Sequence, residues 1–466
     1  MSRQVLVVMA LLVAMCTSAF AQSSTSGALT GRVSDNSGPV PGVTVELSSP
    51  SIQGGTRVAV TDSQGEFRFS LLPPGNYTLN ATLSGYAPLK QENIAVGLSR
   101  TVQLELAMRP SSVTETITVT AEAPLVDVTS AASGANVTSE TMETLPMRRD
   151  FYAVAQVAPG TSEDAAGTTV YGSTGAENQY IIDGLNTTSV ELGVEGKTLN
   201  FDFIQEVAIR TGGLPAEYGR VTGGVIEAIT KSGGNEFSGD VFGYSSGGGL
   251  RAEEATASER PGTTTTVADI DSQFDIGFDL GGYILRDRLW FFGAYNRVNE
   301  TDTFSIIRDL HGAPGTPGIG SSLDQDITRD LYAGKLTWQI TRNQNASLSV
   351  FGDPSEANGA VFGIAGPPVT FNGERTTGGN DLTARYSGVF GTNWLVSGIY
   401  GTHHEEDYTT GPGKLVPQII NQTVNVGDPV TVENGFGFHQ DQEFDRDVMK
   451  LDVTRYLGNH ELKIGG

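Results

Sequence analysis

From Ser238 onward the chain alternates apolar and polar residues over stretches too regular for a helix. Phe274, Ile276, Phe278 and Leu280 interleave with Asp275, Gly277 and Asp279. Tyr332, Gly334, Leu336, Trp338 and Ile340 interleave with Ala333, Lys335, Thr337 and Gln339. Trp394, Val396 and Tyr400 follow, then Met449, Leu451 and Val453 against Lys450, Asp452 and Thr454. A period of two puts alternate side chains on opposite faces, so each run is a β-strand with one apolar face. The run Leu289 to Tyr295 is apolar throughout and is expected to touch a second apolar body. Strands of this kind, tipped with aromatics and joined by uneven polar loops, fit an antiparallel transmembrane barrel. They also fit a soluble sandwich, because an apolar face toward lipid and one toward a core read the same.

The N-terminus bears on that choice. Residues 1–21 hold one basic residue, Arg3, an apolar stretch from Val5 to Met15, and Ala19-Phe20-Ala21. This is a secretory signal peptide with an A-x-A site at Ala19 and Ala21, cut after Ala21. The one cysteine, Cys16, lies in that leader, so the mature chain is expected to have no disulfide. Met15 stands where a lipoprotein signal wants a small residue. No later apolar run approaches the ~18 residues of a membrane helix, but a barrel spans a membrane without one. With 29 Lys+Arg against 53 Asp+Glu the formal charge is -24, which argues against a nucleic-acid partner, whose phosphates require a basic face.

Residues 28–108 read as a compact unit of short strands: Leu29–Val33, Val43–Leu47, Arg57–Thr61, Gly65–Phe69, Gly75–Thr82 and Thr101–Leu106. Val43, Val45 and Leu47 point one way and Thr44 and Glu46 the other, while Pro39, Pro41, Pro73, Pro74 and Pro88 punctuate the turns. Strands so short and so closely spaced make a β-sandwich. The unit resembles the carboxypeptidase regulatory-like domain, a transthyretin-like, carbohydrate-binding-like fold, through Gly31-Arg32-Val33, Pro41-Gly42-Val43-Thr44-Val45, the run Thr61 to Phe67 and the run Leu72 to Tyr77. Such a fold sets architecture and leaves activity open. A rigid module without a ligand is favoured over sugar binding, because Phe67, Phe69, Tyr77 and Tyr86 fit core or turn positions.

Between these units, 122–237 is rich in glycine joints and holds charges among apolar positions. Thr138 or Ser139 can cap a short helix before Leu145-Pro146. Arg148-Arg149-Asp150-Phe151 leads to an apolar turn from Tyr152 to Val157. The Arg148–Arg149 pair could hold an anion, though contacts with carboxylates of a barrel lumen are favoured. Tyr180-Ile181-Ile182 enters Asp183-Gly184, a hairpin signal because both residues tolerate positive φ. Strands follow at Ile204–Ile209 and Val225–Thr230. Glu206, Arg210, Glu217, Arg220 and Glu227 lie on or near them and need partners if buried; a polar barrel lumen would supply them.

From Gln205 to Phe237 the chain resembles the end of the plug domain in TonB-dependent outer-membrane receptors of the Oar-like group. The E-Y/F-G-R-x-x-G-G motif stands as Glu217-Tyr218-Gly219-Arg220-Val221-Thr222-Gly223-Gly224. The T-K-S-G-x-N exit stands as Thr230-Lys231-Ser232-Gly233-Gly234-Asn235, ahead of Phe237, and Asp183-Gly184 matches an I-D-G element. With the leader, the resemblance selects the barrel: a mostly β chain with an N-terminal β-sandwich, a small α+β plug and the first strands of a transmembrane barrel in 238–466. The linker 109–121 holds Glu115-Thr116-Ile117-Thr118-Val119-Thr120-Ala121, which resembles a TonB box; Ile117 and Val119 alternate with threonines, as in a segment that adds to a partner's sheet edge. A plugged transporter barrel has roughly 22 strands, which at ~10 residues each would use ~220 residues and leave nothing for loops, whereas 238–466 holds about nine. The run Glu461 to Gly466 lies within another strand, so the sequence is expected to be the N-terminal portion of a longer protein.

The resemblance implies outer-membrane lipid around the barrel, the TonB protein at Glu115–Ala121, the first domain in the periplasm and cargo at the outer face of plug and barrel. That cargo could be an oligosaccharide, a peptide or a metal chelate. Two other readings share the fold signals: an outer-membrane adhesion or assembly protein, and a secreted carbohydrate-binding β protein. No catalytic site, cofactor or metal is assigned. The H-x-x-E of His403-His404-Glu405-Glu406 is expected in a solvated loop past a strand end, and Asp62, Asp183 and Asp202 in turns where carboxylates cap backbone.

Overall fold

A computed structural model describes residues 25–110, 117–119, 133–145, 149–215, 217–247, 266–306, 315–361, 366–391, 393–421, 431–457 and 460–466. Residues 1–24, including Ala19 and Ala21 of the expected signal-peptide site, and Glu115, Thr116, Thr120, Ala121 and Arg148 lie outside them.

The N-terminal unit is two facing sheets. In one, Gly27–Asp35 lies between Glu66–Leu72 and Thr101–Ala107, antiparallel to the first and parallel to the second. The other runs Arg57–Val60, Thr44–Ser48, Gly75–Thr82, Leu89–Val96. Leu29, Val33, Val45, Leu47, Phe67, Phe69, Tyr77, Leu79, Leu104 and Leu106 are buried between them, with Thr44 and Glu46 outward of the buried set. The strand Leu89–Val96 was not expected. Its buried residues are Leu89 and Gln91, then Ile94 and Val96; the alternation slips by one residue at Asn93, which sits at φ 59. The backbone of Ile117–Val119 pairs in parallel with Leu89–Gln91 on the free side of this strand.

The middle unit is a five-stranded sheet in the order Ser133–Thr138, Ile204–Gly212, Val225–Thr230, Gln179–Ile182, Leu185–Asn186. Asp183 and Gly184 turn the last two strands at φ 48 and 86, joining Ile182 to Leu185 in register. The helix Ser139–Thr144 begins after Thr138, whose hydroxyl meets that of Thr141 at 3.2 Å and caps no backbone N–H. The turn Ala153–Val157 is a 3-10 helix begun by Asp150, whose Oδ1 accepts from the Ala153 N–H at 2.7 Å. One face of the sheet, with Val207, Ile209, Ile226 and Ala228, joins Phe151, Phe201 and Phe203 in a core that also includes Phe292, Ala294, Val298, Leu331, Ala333 and Phe351 of the long strands. The apolar run at Leu289–Tyr295 thus does touch a second body.

The long strands form a single antiparallel sheet of eleven segments from Val241–Gly247 to His460–Gly465. Gln344–Gly352 and Ser355–Ala360 both pair with Ser322–Thr341, and Asn372–Gly378 and Asn380–Phe390 both pair with Trp394–Thr410, so each pair is one strand with a break. A short turn, 286–288, marks one end of the sheet, while at the other end the strands Leu289–Ile306 and Ser322–Thr341, and Trp394–Thr410 and Gln440–Leu457, are joined across many more residues of sequence. Phe274, Ile276, Phe278, Leu280, Leu336, Trp338, Leu348, Val350, Tyr400, Met449 and Leu451 are exposed on its outer face, Phe274 by 50%. Their inward neighbours, Asp275 and Asp279, are buried. A soluble sandwich would bury the apolar set. An apolar belt outside and carboxylates inside is the arrangement of a barrel wall in lipid.

Candidate functional site: the middle unit seated on the wall of long strands

Polar contacts that fasten the middle unit to the wall gather at the residues singled out in sequence. Asp183, 5% exposed, accepts from the Thr230 N–H at 3.1 Å, the Thr230 hydroxyl at 2.6 Å and Lys335 Nζ of the wall at 2.9 Å. Burial acts to raise its carboxyl pKa, but the Lys335 charge and these donors outweigh burial and hold it below the ordinary value. Glu217 Oε2 accepts from Lys450 at 3.1 Å and Lys463 at 2.7 Å, both on wall strands. Lys231 Nζ reaches Asp279 at 3.0 Å. Arg149 pairs with Asp202 and with Asp275 of the wall, its guanidinium 3.5 Å from the Tyr244 ring centroid. It is a structural contact to a lumen carboxylate rather than an anion site.

The motif glycines divide by what surrounds them. A Cβ at Gly223 would sit 2.4 Å from Asn178 Oδ1 and one at Gly224 2.8 Å from Val170. That tightness lets Asn178 Oδ1 accept from the Gly224 N–H at 2.8 Å. A Cβ at Gly233 would lie 2.1 Å from the Phe291 carbonyl oxygen; there the chain crosses onto the wall with no room for a side chain. Asn235 completes the crossing: its Oδ1 accepts from the Asp287 N–H and Trp290 Nε1, each at 2.9 Å, and its Nδ2 donates to Asp287 at 2.6 Å. Gly219 has open space around it. Arg220 is exposed, at φ 62. Tyr218 OH lies 3.5 Å from Glu227 Oε2, and burial with that carboxylate pushes its phenol above the ordinary range.

Three expectations are corrected. His403 is not in a loop. It lies within the strand Trp394–Thr410, 1% exposed, with Nδ1 3.0 Å from Asp381 Oδ1. The wall strands continue past the lipid belt, where both faces are polar, so a polar run did not mean a turn. The partners of Glu206 and Arg210 are also not in the barrel lumen; they come from Asn136 and from Leu98 of the N-terminal unit. Of the turn carboxylates, Asp62 does cap backbone, accepting from Gln64 and Glu66 N–H, whereas Asp183 and Asp202 reach across to cations.

One cluster had no sequence signal. Lys197, 1% exposed, places Nζ 2.7 Å from the His404 carbonyl oxygen, 3.3 Å from Asp353 and 4.0 Å from Asp381. The Thr198 N–H donates to Asp353 at 2.7 Å, and Arg446 donates to the carbonyls of Asn186 and Thr188. These contacts pin the loop 187–198 to the wall beyond the apolar belt, toward its long-connection end. Among the described residues no group of three or more His, Cys, Asp or Glu is placed to hold a metal ion.

The carboxypeptidase regulatory-like domain family matches residues 28–109, and an outer membrane beta-barrel domain matches residues 229–308. The TonB-dependent transporter Oar of Myxococcus xanthus is 34% identical over 368 residues, 73% of this chain and 34% of that protein. The "Probable TonB-dependent siderophore receptor PirA" of Acinetobacter baumannii is 25% identical over 74% of this chain and 44% of its own length. The chain thus spans between about a third and less than half of these curated relatives. The outer membrane transporter YddB from Escherichia coli superposes with a TM-score of 0.56 at 17% identity, over 72% of this chain and 47% of that one, a likeness of fold. These relatives are transporters and receptors, not enzymes. The chain is an Oar-like homologue of the TonB-dependent transporters, an outer-membrane β-barrel protein with a carboxypeptidase regulatory-like domain.

Proposed function

We propose that the protein takes up a substrate through a plugged barrel, energised from the periplasm by the TonB protein at Glu115–Ala121. The observation that carries this reading is the plug itself: a small sheet pinned to the inner side of a lipid-facing wall by Asp183–Lys335, Lys231–Asp279 and Glu217 with Lys450 and Lys463. An adhesin gains nothing from closing its own lumen with a body held by separable ion pairs. In this reading 1–21 is the leader cut at Ala19-Phe20-Ala21, 28–108 the periplasmic sandwich, 109–121 the linker with the box, 122–237 the plug and 238–466 the wall. Asp183, Gly184, Glu217, Tyr218, Gly219, Arg220, Gly223, Gly224, Lys231 and Gly233 are its seat and exit. The cargo is an oligosaccharide, a peptide or a metal chelate, the last in keeping with the Acinetobacter relative, a probable siderophore receptor. Ile117→Pro tests the reading, because proline removes a backbone donor from any added strand. Cells depending on this protein should lose uptake while surface adhesion stays unchanged; retained uptake refutes the role of the box. A carbonate or salt wash that releases the protein would instead favour a secreted sugar-binding module.

A further inference from the structure

The loop Gly97–Arg100, between Leu89–Val96 and Thr101–Ala107, carries a leucine that a free-standing sandwich would leave in water. Leu98 is 0% exposed and packs on Ala208 and Ile229 of the plug sheet. The loop is well braced: Ser99 sits at φ 53, its N–H donates to the Ser26 carbonyl at 3.2 Å, and the Arg100 N–H donates to the Gly97 carbonyl at 3.3 Å. The backbone of Leu98 is bound at both poles. Its N–H donates to Glu206 Oε1 at 2.6 Å, and its carbonyl accepts from Arg210 Nη2 at 2.6 Å and Asn136 Nδ2 at 3.0 Å.

The receptor for this residue is organised within the plug. Asn136 donates to Glu206 and accepts from Arg210 Nη1 at 2.9 Å, and Glu206 and Arg210 are 2% and 7% exposed. With the loop in place both charges are out of water and Leu98 supplies a backbone partner to each, so the docked arrangement leaves neither unsatisfied. Two more contacts lie alongside: Gln53 Nε2 donates to the Gly233 carbonyl at 2.7 Å, and the Arg68 guanidinium lies 4.2 Å from the Tyr456 ring centroid. Both are near the short-turn end of the wall, the periplasmic end of such barrels.

We propose that the N-terminal sandwich is a cap on the plug, docked by Leu98 in the Glu206–Asn136–Arg210 receptor, and that it closes the periplasmic side until it is withdrawn. The sandwich also holds the backbone of Ile117–Val119 on its strand Leu89–Val96, so a pull on the linker reaches the cap before the plug. The gating part rests on the uptake reading above; the docking does not.

Residues 22–466 hold no cysteine that would compete in the test, the one in this sequence being Cys16. A Cβ built on Gly97 lies 3.6 Å from Asn136 Cγ, within reach of a disulfide. Gly97→Cys with Asn136→Cys, in outer-membrane vesicles under mild oxidant, should cross-link. Adding Leu98→Glu, which sets a carboxylate against Glu206, should lower the yield about tenfold or more. As a check that leaves Asn136 intact, Leu98→Cys alone, in the detergent-solubilised protein, should react with a maleimide at least about tenfold more slowly than Ser63→Cys on the exposed face. Equal labelling, or a cross-link indifferent to Leu98→Glu, overturns the docking. With the cross-link formed, uptake should stop on oxidation and return on reduction; uptake that continues overturns the gating. Should the reduced protein take up none of the three cargo classes, the uptake reading fails, and the cross-link still decides the docking.

Discussion

Asp183 and Lys335 offer a direct test of how the plug is held. The carboxylate has three donors within 3.1 Å, two from Thr230 on the neighbouring plug strand and one from Lys335 on the wall. Breaking a buried ion pair by removing one partner costs ~3–5 kcal/mol, because the other charge stays buried. Asp183→Asn keeps one acceptor for the Thr230 N–H and should fall near ~3 kcal/mol, with Lys335→Met at a similar or larger loss. The double variant leaves neither charge and loses only neutral hydrogen bonds, about 1–2 kcal/mol in all. Denaturant-driven release of the plug, followed by protease sensitivity in detergent, measures each difference. The pH dependence has a definite sign. The folded pKa of Asp183 is depressed below 3.8, so its contribution is present above the unfolded value and is lost as pH falls through the folded one. The gap between wild type and Asp183→Asn should therefore be flat from neutral pH to about 4 and close below it. If the double variant costs the sum of the singles within about 0.5 kcal/mol, the pair is not what seats the plug.

The motif glycines should separate cleanly. Gly223→Ala and Gly233→Ala would place a Cβ 2.4 Å and 2.1 Å from fixed oxygens and should abolish the heat-modifiable folded band on a cold gel. Gly219→Ala and Gly234→Ala, with open space around them, should leave it intact; equal behaviour of all four would refute the close-approach account. Lys197→Met leaves Asp353 buried without its cation, a loss of ~3–5 kcal/mol. It should expose the loop 187–196 to protease added outside cells, and unchanged protection would mean the loop is held by other contacts.

How much of this was legible depends on the range over which each signal acts. The strand Thr266–Leu285 is legible because alternation is a local property of Phe274 to Leu280. Which face of it meets lipid is not, since an apolar stripe looks the same from either side. That choice is made by what the polar stripe meets: Asp275 and Asp279 face Arg149 and Lys231, which are 126 and 48 residues away in sequence. Glycine motifs are legible for the same local reason; the Asp183-Gly184 turn needs only its own φ angles. The strand Leu89–Val96 was hidden by one bulged residue, Asn93, which shifts the buried set out of phase, and His403 by a strand polar on both faces beyond the lipid belt. Glu206 and Arg210 mark the limit more sharply. Their charge on a buried strand correctly announced that partners must exist, but a side chain's need for a partner carries no address. The address was a leucine backbone 108 residues earlier, in a domain whose own fold gives no reason to bury it. A buried charge pair and a stranded apolar loop tip are therefore two halves of one signal, and neither identifies an interface until the fold brings them together.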